Sequence, residues 1–510
     1  MTEKKRYLMA LDAGTGAGRC FMISLDGKHI VKSYREWSYQ FPPEAQPGGM
    51  EFDPESFWKI FSELTQETLA KSGVKPDQVV GVSSTSQREG VVFLDKEGKE
   101  LYAGPNMDMR IPADGGALLF QCGEEIYQAT GHWPMPIFAP YRLLWMRERK
   151  PELYERISTV LLINDWILFR LSGERASEPS NGVETLLLDQ RTKQWSKGLI
   201  DKLGLDANIF PKVLDSGSLL GTITAQSAKE TGLAQGTPVI MGGADSQCGV
   251  LGCGAINDGD IGCVMGSFAP LQMVIPEPMV AADYRVWSGC HAVPGKWIIE
   301  STAFESGQVF RWVRDVYYSG EGESIFSQMD MDAGDSPIGS KGILSYLGPR
   351  MSIPNYREAS WFLPGGFIMP LPALPGMVTR GDFARAVLEN IAFAIRGNQE
   401  RLADVSNREV ARLRVCGGLS QSDTLVQILA DLLKMPIMVP SCPEGSSMGA
   451  AICAGVGSGV YSSFAEGVDA LIHWKAEMTP TTESSKEYQA AYEKWCAQVP
   501  KMYGFKEWSV

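Results

Sequence analysis

Histidine is scarce in this chain, cysteine is scattered, and long apolar runs are missing. The four histidines, His29, His132, His291 and His473, stand far apart, and the ten cysteines include no Cys-x-x-Cys pair. Such spacing excludes the common Cys/His zinc sites. Disulfide staples are not needed either, because 510 residues with 44% apolar content can bury large cores. Reduced thiols in a cytoplasmic protein are the expectation. No run of about 18 apolar residues occurs, so no membrane span is expected. The opening MTEKKRYLMALDAG lacks an apolar core of secretory-signal length. Positive charge is the minority sign: 47 Lys and Arg against 60 Asp and Glu give a net charge of −13. So acidic a chain offers no footprint for nucleic acid or an anionic membrane. Any anionic ligand must find local cations, backbone amides or a metal ion.

Two common phosphate-binding signatures are absent as well. There is no GxxxxGK[ST], and Arg19 stands where GxGxxG would need its third glycine. What is present is RYLMALD, an apolar run ending in Asp12, followed by the glycine-rich turn Gly14-Thr15-Gly16-Ala17-Gly18-Arg19. CFMISLDGKHIVKSY continues as two strands turning at Asp26-Gly27. PESFWKIFSELTQETLAKSG and PYRLLWMRERKPELYERI read as helices. Near residue 255 the pattern recurs: IGCVMGSFAPLQMVI is strand, tight turn at Gly266-Ser267, strand. Two halves that each open on a phosphate-sized hairpin predict a duplicated actin-like (ribonuclease-H-like) α/β fold with a central cleft. The boundary is expected between residues 254 and 255, giving domains 1–254 and 255–510. Later, RGDFARAVLENIAFAIRGNQERLADV has helical apolar spacing with Asp382 as its expected N-cap, and LRVCGG is a strand running into glycines. EGSSMGAAICAGVGSG reads as a helix of small residues, and SIPNYREASWFLPGG, with most of 351–366, as a surface loop.

Several of these turns can carry chemistry. Backbone amides of the Gly14–Gly18 turn can approach phosphates, Asp12 can hold a Mg²⁺-bound water, and Arg19 can neutralise phosphate charge. Asp245, in GGADSQ between a strand and a helix, is placed to accept a proton from a substrate hydroxyl. An Asp at such a junction more often serves as a helix N-cap. Arg88-Glu89 offers donors and acceptors to vicinal hydroxyls, though such a pair is more commonly a surface ion pair. Asn106-Met107-Asp108-Met109-Arg110 is similarly open to both uses. Gly417-Gly418, where a strand turns into a helix, admits close approach of a base or phosphate.

Singly these signals are weak; their order is specific. Asp12-x-Gly14-Thr15-x-x-x-Arg19, Gln87-Arg88-Glu89, Asp108-x-Arg110, Gly242-Gly243-x-Asp245, Gly266-Ser267, Gly417-Gly418 and Glu444-x-x-x-Met448-Gly449-Ala450-Ala451 together resemble the FGGY carbohydrate kinase family, from Tyr7 to about Phe464. The resemblance implies ATP-dependent phosphorylation of a hydroxyl on a small sugar-like molecule in the cleft. It implies Asp245 as general base and Asp12 as the Mg²⁺ residue, acting through water. It implies Gly14, Thr15, Gly266 and Ser267 at the phosphates with Arg19 nearby. Gly417 and Gly418 would lie against adenosine, and Gly307 near the nucleotide. Gln87, Arg88, Glu89, Asp108 and Asp245 would face the substrate. Xylulokinases carry Gln-Met-His where this chain has Gln87-Arg88-Glu89, and glycerol kinases carry Gln where it has Ser246. The segments SQREGVVF, NMDMR and NDWILFRLSGE are similar to a subgroup acting on a linear dihydroxy-pentanedione. Xylulose, ribulose, glycerol or erythritol is the alternative acceptor, and a catalytically inactive sugar-binding regulator the minor one. Oligomeric state stays open, a homodimer included.

Overall fold

The structure, a computed structural model, describes residues 5–319, 323–350, 365–370 and 376–499. Most of the expected 351–366 loop therefore lies outside the described residues. The first sheet has six strands: β1 (Tyr7–Ala13), β2 (Ala17–Ser24), β3 (Ile30–Glu36), β4 (Val79–Ser86), β5 (Leu219–Thr222) and β6 (Pro238–Ala244). Their order is β5-β6-β4-β1-β2-β3. Every residue of β1 is buried, as a strand covered on both faces must be. It pairs antiparallel with β2 and parallel with β4, which pairs parallel with β6.

The second sheet repeats this scheme. It contains β7 (Ile261–Val264), β8 (Phe268–Ile275), β9 (Trp287–Cys290), β10 (Trp297–Glu305), β11 (Leu413–Cys416), β12 (Ile437–Pro440) and β13 (Trp474–Met478). The order is β9-β10-β8-β7-β11-β12-β13, with β7 antiparallel to β8 and parallel to β11, and β11 parallel to β12. Thus β3-β2-β1-β4-β6 and β10-β8-β7-β11-β12 are one pattern used twice, and the faint echo between the two hairpins is a real duplication.

Helices form where the chemistry of their ends demands. α1 (Pro54–Ser72) begins with Asp53 accepting from Ser56 N at 3.0 Å, has Pro54 in its first turn, and ends at left-handed Gly73. Its face of Phe57, Trp58, Phe61 and Leu64 covers the first sheet. The expected helix through PYRLLWMRERKPELYERI is broken: one helix ends at Arg149 and a short one starts at Pro151, which has no N–H to continue the ladder. Three later helices are α2 (Asp245–Gly252), α3 (Gly307–Tyr317) and α4 (Arg380–Ser406). α4 is capped by Thr379, with Asp382 at the third position reaching back to Thr379 N at 2.7 Å; the expected cap was three residues too late. Among the described residues no helix is long and apolar enough to cross a membrane, and the ten cysteines are free.

Between β4 and β5 the first half carries an extra block. Its strands Val91–Leu94, Glu100–Gly104 and Thr159–Leu162 make a small sheet under an aromatic cluster of Tyr127, Trp133, Phe138, Tyr141 and Trp145. The halves meet where α2 crosses α5 (Gly445–Gly457), and α5 packs on β1, β4 and β6 of the first sheet. A Cβ on Gly449 would stand 1.9 Å from the Cys248 carbonyl oxygen, and one on Gly252 equally close to the Gly445 carbonyl. The small-residue run is therefore a backbone-contact crossing. Gly449→Ala is expected to cost about 2 kcal/mol or more by urea denaturation, since neither backbone can yield. Gly198→Ala, where a Cβ meets nothing within 4 Å inside the short helix Lys197–Lys202, is the clash-free control and should not destabilise.

Candidate active site

Asp12, Ser86 to Gly90, Asp245, Gly266, Gly417 and Glu444 all follow or end strands at the same edges of the two parallel cores, facing the cleft. On the first side, Gly14 N donates to Ala17 O at 2.9 Å, closing the hairpin. Thr15 holds Asn106 Nδ2 at 3.1 Å, and its carbonyl accepts from Trp37 Nε1 and the Tyr39 hydroxyl. Arg19 sits opposite Asp12 in the ladder, 3.5 Å from its Oδ2, 3.4 Å from Glu444 Oε2, and over the Tyr34 ring. Ser447 of α5 donates to Asp12 Oδ2 at 2.8 Å, whereas Asp12 Oδ1 is buried without a partner. Burial pushes the Asp12 carboxyl up, against the pull of Arg19.

On the second side, the Gly266-Ser267 turn is locked from three directions. Gly266 N donates to Phe268 O at 2.9 Å, Ser306 N to Ser267 O at 2.9 Å, and Gly307 N to Gly266 O at 3.1 Å. A Cβ on Gly307 would fall 2.4 Å from that same Gly266 oxygen. Gly417, at φ +91°, leaves no room for a Cβ beside Met265 O, while Gly418 is exposed and open. Gly266, Ser267, Gly307 and Gly417 are thus brought together with Gly418 at the rim. Arg311, one turn into α3, donates from Nη2 to Ser267 Oγ at 2.9 Å and forms no ion pair among the described residues. Tyr34 lies within electrostatic range of both Arg19 and Arg311.

Asp245 is not a cap. Ala244 occupies the N-cap position, Asp245 is the first helical residue, and no side chain caps α2. Among the described residues its carboxylate accepts from Ser246, whose Oγ is 3.2 Å away. Burial raises its pKa from 3.8 to about 6, with Arg88 opposing and Asp12 adding to the rise. Arg88 and Glu89 are not a surface pair either. Their separation is 4.0 Å, and the Arg88 guanidinium is instead gripped by Glu300, with Nη1 2.7 Å and Nη2 3.0 Å from its two oxygens. Glu89 has φ +61°, and Arg142 donates to its carbonyl. Burial, with Glu184, Asp245 and Glu300 adding, pushes the Glu89 carboxyl well up against Arg88.

Two expected substrate residues are committed elsewhere. Gln87 Nε2 donates to Gly14 O at 3.2 Å and its Oε1 accepts from Asn106 N at 2.9 Å, tying the phosphate hairpin to the 105–109 loop. Asp108 is fully buried: Oδ1 accepts from Met50 N and Arg110 Nε, and Oδ2 from the Tyr102 hydroxyl. It holds that loop and presents no open face.

Known proteins match this chain over most of its length. Models for the N-terminal and C-terminal domains of the FGGY family of carbohydrate kinases match residues 7–252 and 255–458. The chain belongs to the FGGY family of carbohydrate kinases. It is 34% identical over 510 residues to the autoinducer-2 kinase of Escherichia coli K12, covering 98% of this chain and 94% of that protein. The xylulose kinase of Rhodospirillum rubrum superposes with a TM-score of 0.81 at 24% identity, over 98% and 99% of the two chains. The gluconate kinase of Lactobacillus acidophilus superposes at 0.82 and 20% identity, over 99% and 100%. These likenesses support the two-domain actin-like fold and an ATP-dependent kinase.

Beside these residues stand others that the motifs did not single out. Glu300 stands in WIIESTAFE, where an acid inside an apolar strand was a legible anomaly. Arg311 follows Gly307 by one helical turn, so the glycine itself pointed to it. Glu184 and His132, 3.2 Å apart beside Arg88, gave no sequence signal. The residues fit a hydrated Mg²⁺. Asp12 Oδ1 is a buried unpartnered hard donor, and the described residues hold no cluster of three or more metal-ligating side chains that would displace its waters. Asp245 illustrates the energetic cost. A carboxyl whose folded pKa lies above its unfolded one stabilises the fold below about pH 4 and loses that contribution as pH rises through about 6. Asp245→Asn should therefore be more stable than wild type by about 2 kcal/mol at pH 7, after discounting for partial exposure, with the gap closing near pH 4 in thermal melts.

Proposed function

We propose that this kinase transfers the γ-phosphoryl group of ATP to a primary hydroxyl of the linear dihydroxy-pentanedione precursor of autoinducer-2. The observation that carries the chemistry is the free Asp245 carboxylate, uncapped at a helix start between the phosphate hairpins and the Arg88–Glu89 pocket. The acceptor is supported by full-length similarity to autoinducer-2 kinases of E. coli and Salmonella paratyphi B. We assign residues 1–254 to the acceptor and the base, and 255–510 to the nucleotide. The free thiols and the absence of a spanning helix among the described residues fit a cytoplasmic enzyme.

Bound Mg²⁺-ATP supplies the phosphoryl group and a divalent charge at its oxygens. Asp12 would hold the hydrated metal from its open Oδ1. Arg19 and Arg311, one from each half, offset phosphate charge beside the amides of the two hairpins. Arg88 and Glu89 hold the acceptor, and Asp245 accepts the proton of the attacking hydroxyl. A carboxyl titrating near 6 is ionised at neutral pH yet close enough to it to be an effective base.

A coupled ADP-release assay with the dihydroxy-pentanedione, glycerol, D-xylulose, L-ribulose and erythritol tests the reading. A kcat/KM for the dihydroxy-pentanedione at least about tenfold above the rest is expected. Preference for another acceptor would replace the substrate and keep the chemistry; no turnover with any would return the chain to a binding role. Asp245→Asn should lower kcat by about 100-fold or more. The wild-type kcat should fall on the acid side of about pH 6, as Asp245 takes up its proton. Arg311→Ala should raise KM for ATP about tenfold, the loss of one charge-assisted hydrogen bond, with KM for the acceptor unchanged.

A further inference from the structure

We propose that Glu300, on β10 of the second half, is a positioning residue that sets Arg88 for acceptor recognition and filters acceptors by charge. The proposal rests on the kinase reading above. Arg88 follows β4 of the first sheet and Glu300 belongs to the second, so their pair spans the two halves. Glu300 is 1% exposed and takes the guanidinium edge-on with both oxygens. It is itself held: Gln272 Nε2 donates to Glu300 Oε2 at 2.6 Å. Trp287 lies against the guanidinium at 5.6 Å, and Glu184 Oε1 is 3.4 Å from Nη1.

A guanidinium has five N–H groups. Glu300 and Glu184 take both on Nη1 and Glu300 takes one on Nη2. The second Nη2–H remains for a hydroxyl or carbonyl oxygen, as does the Nε–H, which is 4.0 Å from Glu89 Oε1 and beyond hydrogen-bond reach of it. A planar fork seated on a carboxylate loses rotational freedom, so these two donors point in a fixed direction. Without Glu300 the guanidinium would swing toward Glu184, and the donors would leave the acceptor.

The same arrangement sets a charge rule. Glu184, Glu300 and Asp245 share the Arg88 guanidinium, with the His132 ring 3.2 Å from Glu184, so an acceptor bearing a carboxylate meets net repulsion in a buried site. A neutral polyol or carbonyl compound does not.

The test uses the full chain and the acceptor that wild type phosphorylates fastest in the panel. Glu300→Gln keeps the shape and removes the charge. KM for the acceptor is expected to rise at least tenfold, and KM for ATP to stay within twofold. The kcat/KM preference for that acceptor over D-gluconate should narrow at least tenfold. Calorimetric binding of the acceptor without nucleotide should weaken in parallel. Gln272→Met, which only frees Glu300, should move acceptor KM the same way by a smaller factor, and stands in if Glu300→Gln does not fold. Equal shifts of both KM values, an unmoved acceptor KM, or unchanged discrimination against D-gluconate overturns the proposal while leaving the kinase reading intact. Failure of wild type to turn over any acceptor sinks that reading and this one together.

Discussion

Two helices that meet at glycines cross in this kinase with their backbones in contact, and the site is assembled from that crossing. At Gly252 and Gly449 any side chain would stand inside a neighbouring carbonyl. The crossing fixes how far the second half stands from the first. It delivers Ser447 to Asp12 and Ser446 to the Asp245 carbonyl, 2.8 Å in each case. Each parallel core therefore ends its strands toward one shared cleft, where an open α/β sheet places its ligands.

Charge in the cleft runs against stability. Asp12, Glu89 and Asp245 are all held above their ordinary pKa, chiefly by burial. Groups driven this way are unfavourable for the fold and useful to proton transfer. The neighbouring cations are few and specific: Arg19 beside Asp12, Arg88 between Glu184 and Glu300, and Arg311 facing solvent beside Ser267. In a chain with a net charge of −13 these local cations provide what an anionic cosubstrate requires.

The proposed acceptor site draws on both halves more than a motif-by-motif reading implies. Arg88 is placed by Glu300 from across the cleft, while Gln87 and Asp108 serve the scaffold behind it. The loop they stabilise carries Asn106, which reaches back to Thr15 of the phosphate hairpin at 3.1 Å. Acceptor loop and phosphate loop are thus one hydrogen-bonded unit.

Most of the architecture was legible in the sequence, because it rests on local rules. Apolar runs ending in glycine-rich turns gave β1, β2, β7 and β8, a segment opening on Pro54 gave α1, and a run of small residues gave α5. Where a local competitor prevailed, the boundaries moved, as at Pro151, which broke a helix, and at Thr379, which took the cap from Asp382. The site was half legible. Asp12, Gly14, Gly266 and Asp245 sit at strand ends, so their exposure to the cleft follows from the strand itself. Whether Asp245 capped its own helix, whether Arg88 paired with its neighbour, and which side chains Glu300 and Arg311 met were decided only by tertiary structure. Those contacts join residues up to 212 positions apart. Sequence spacing carries no information about such distances until two sheets and a helix crossing bring them together.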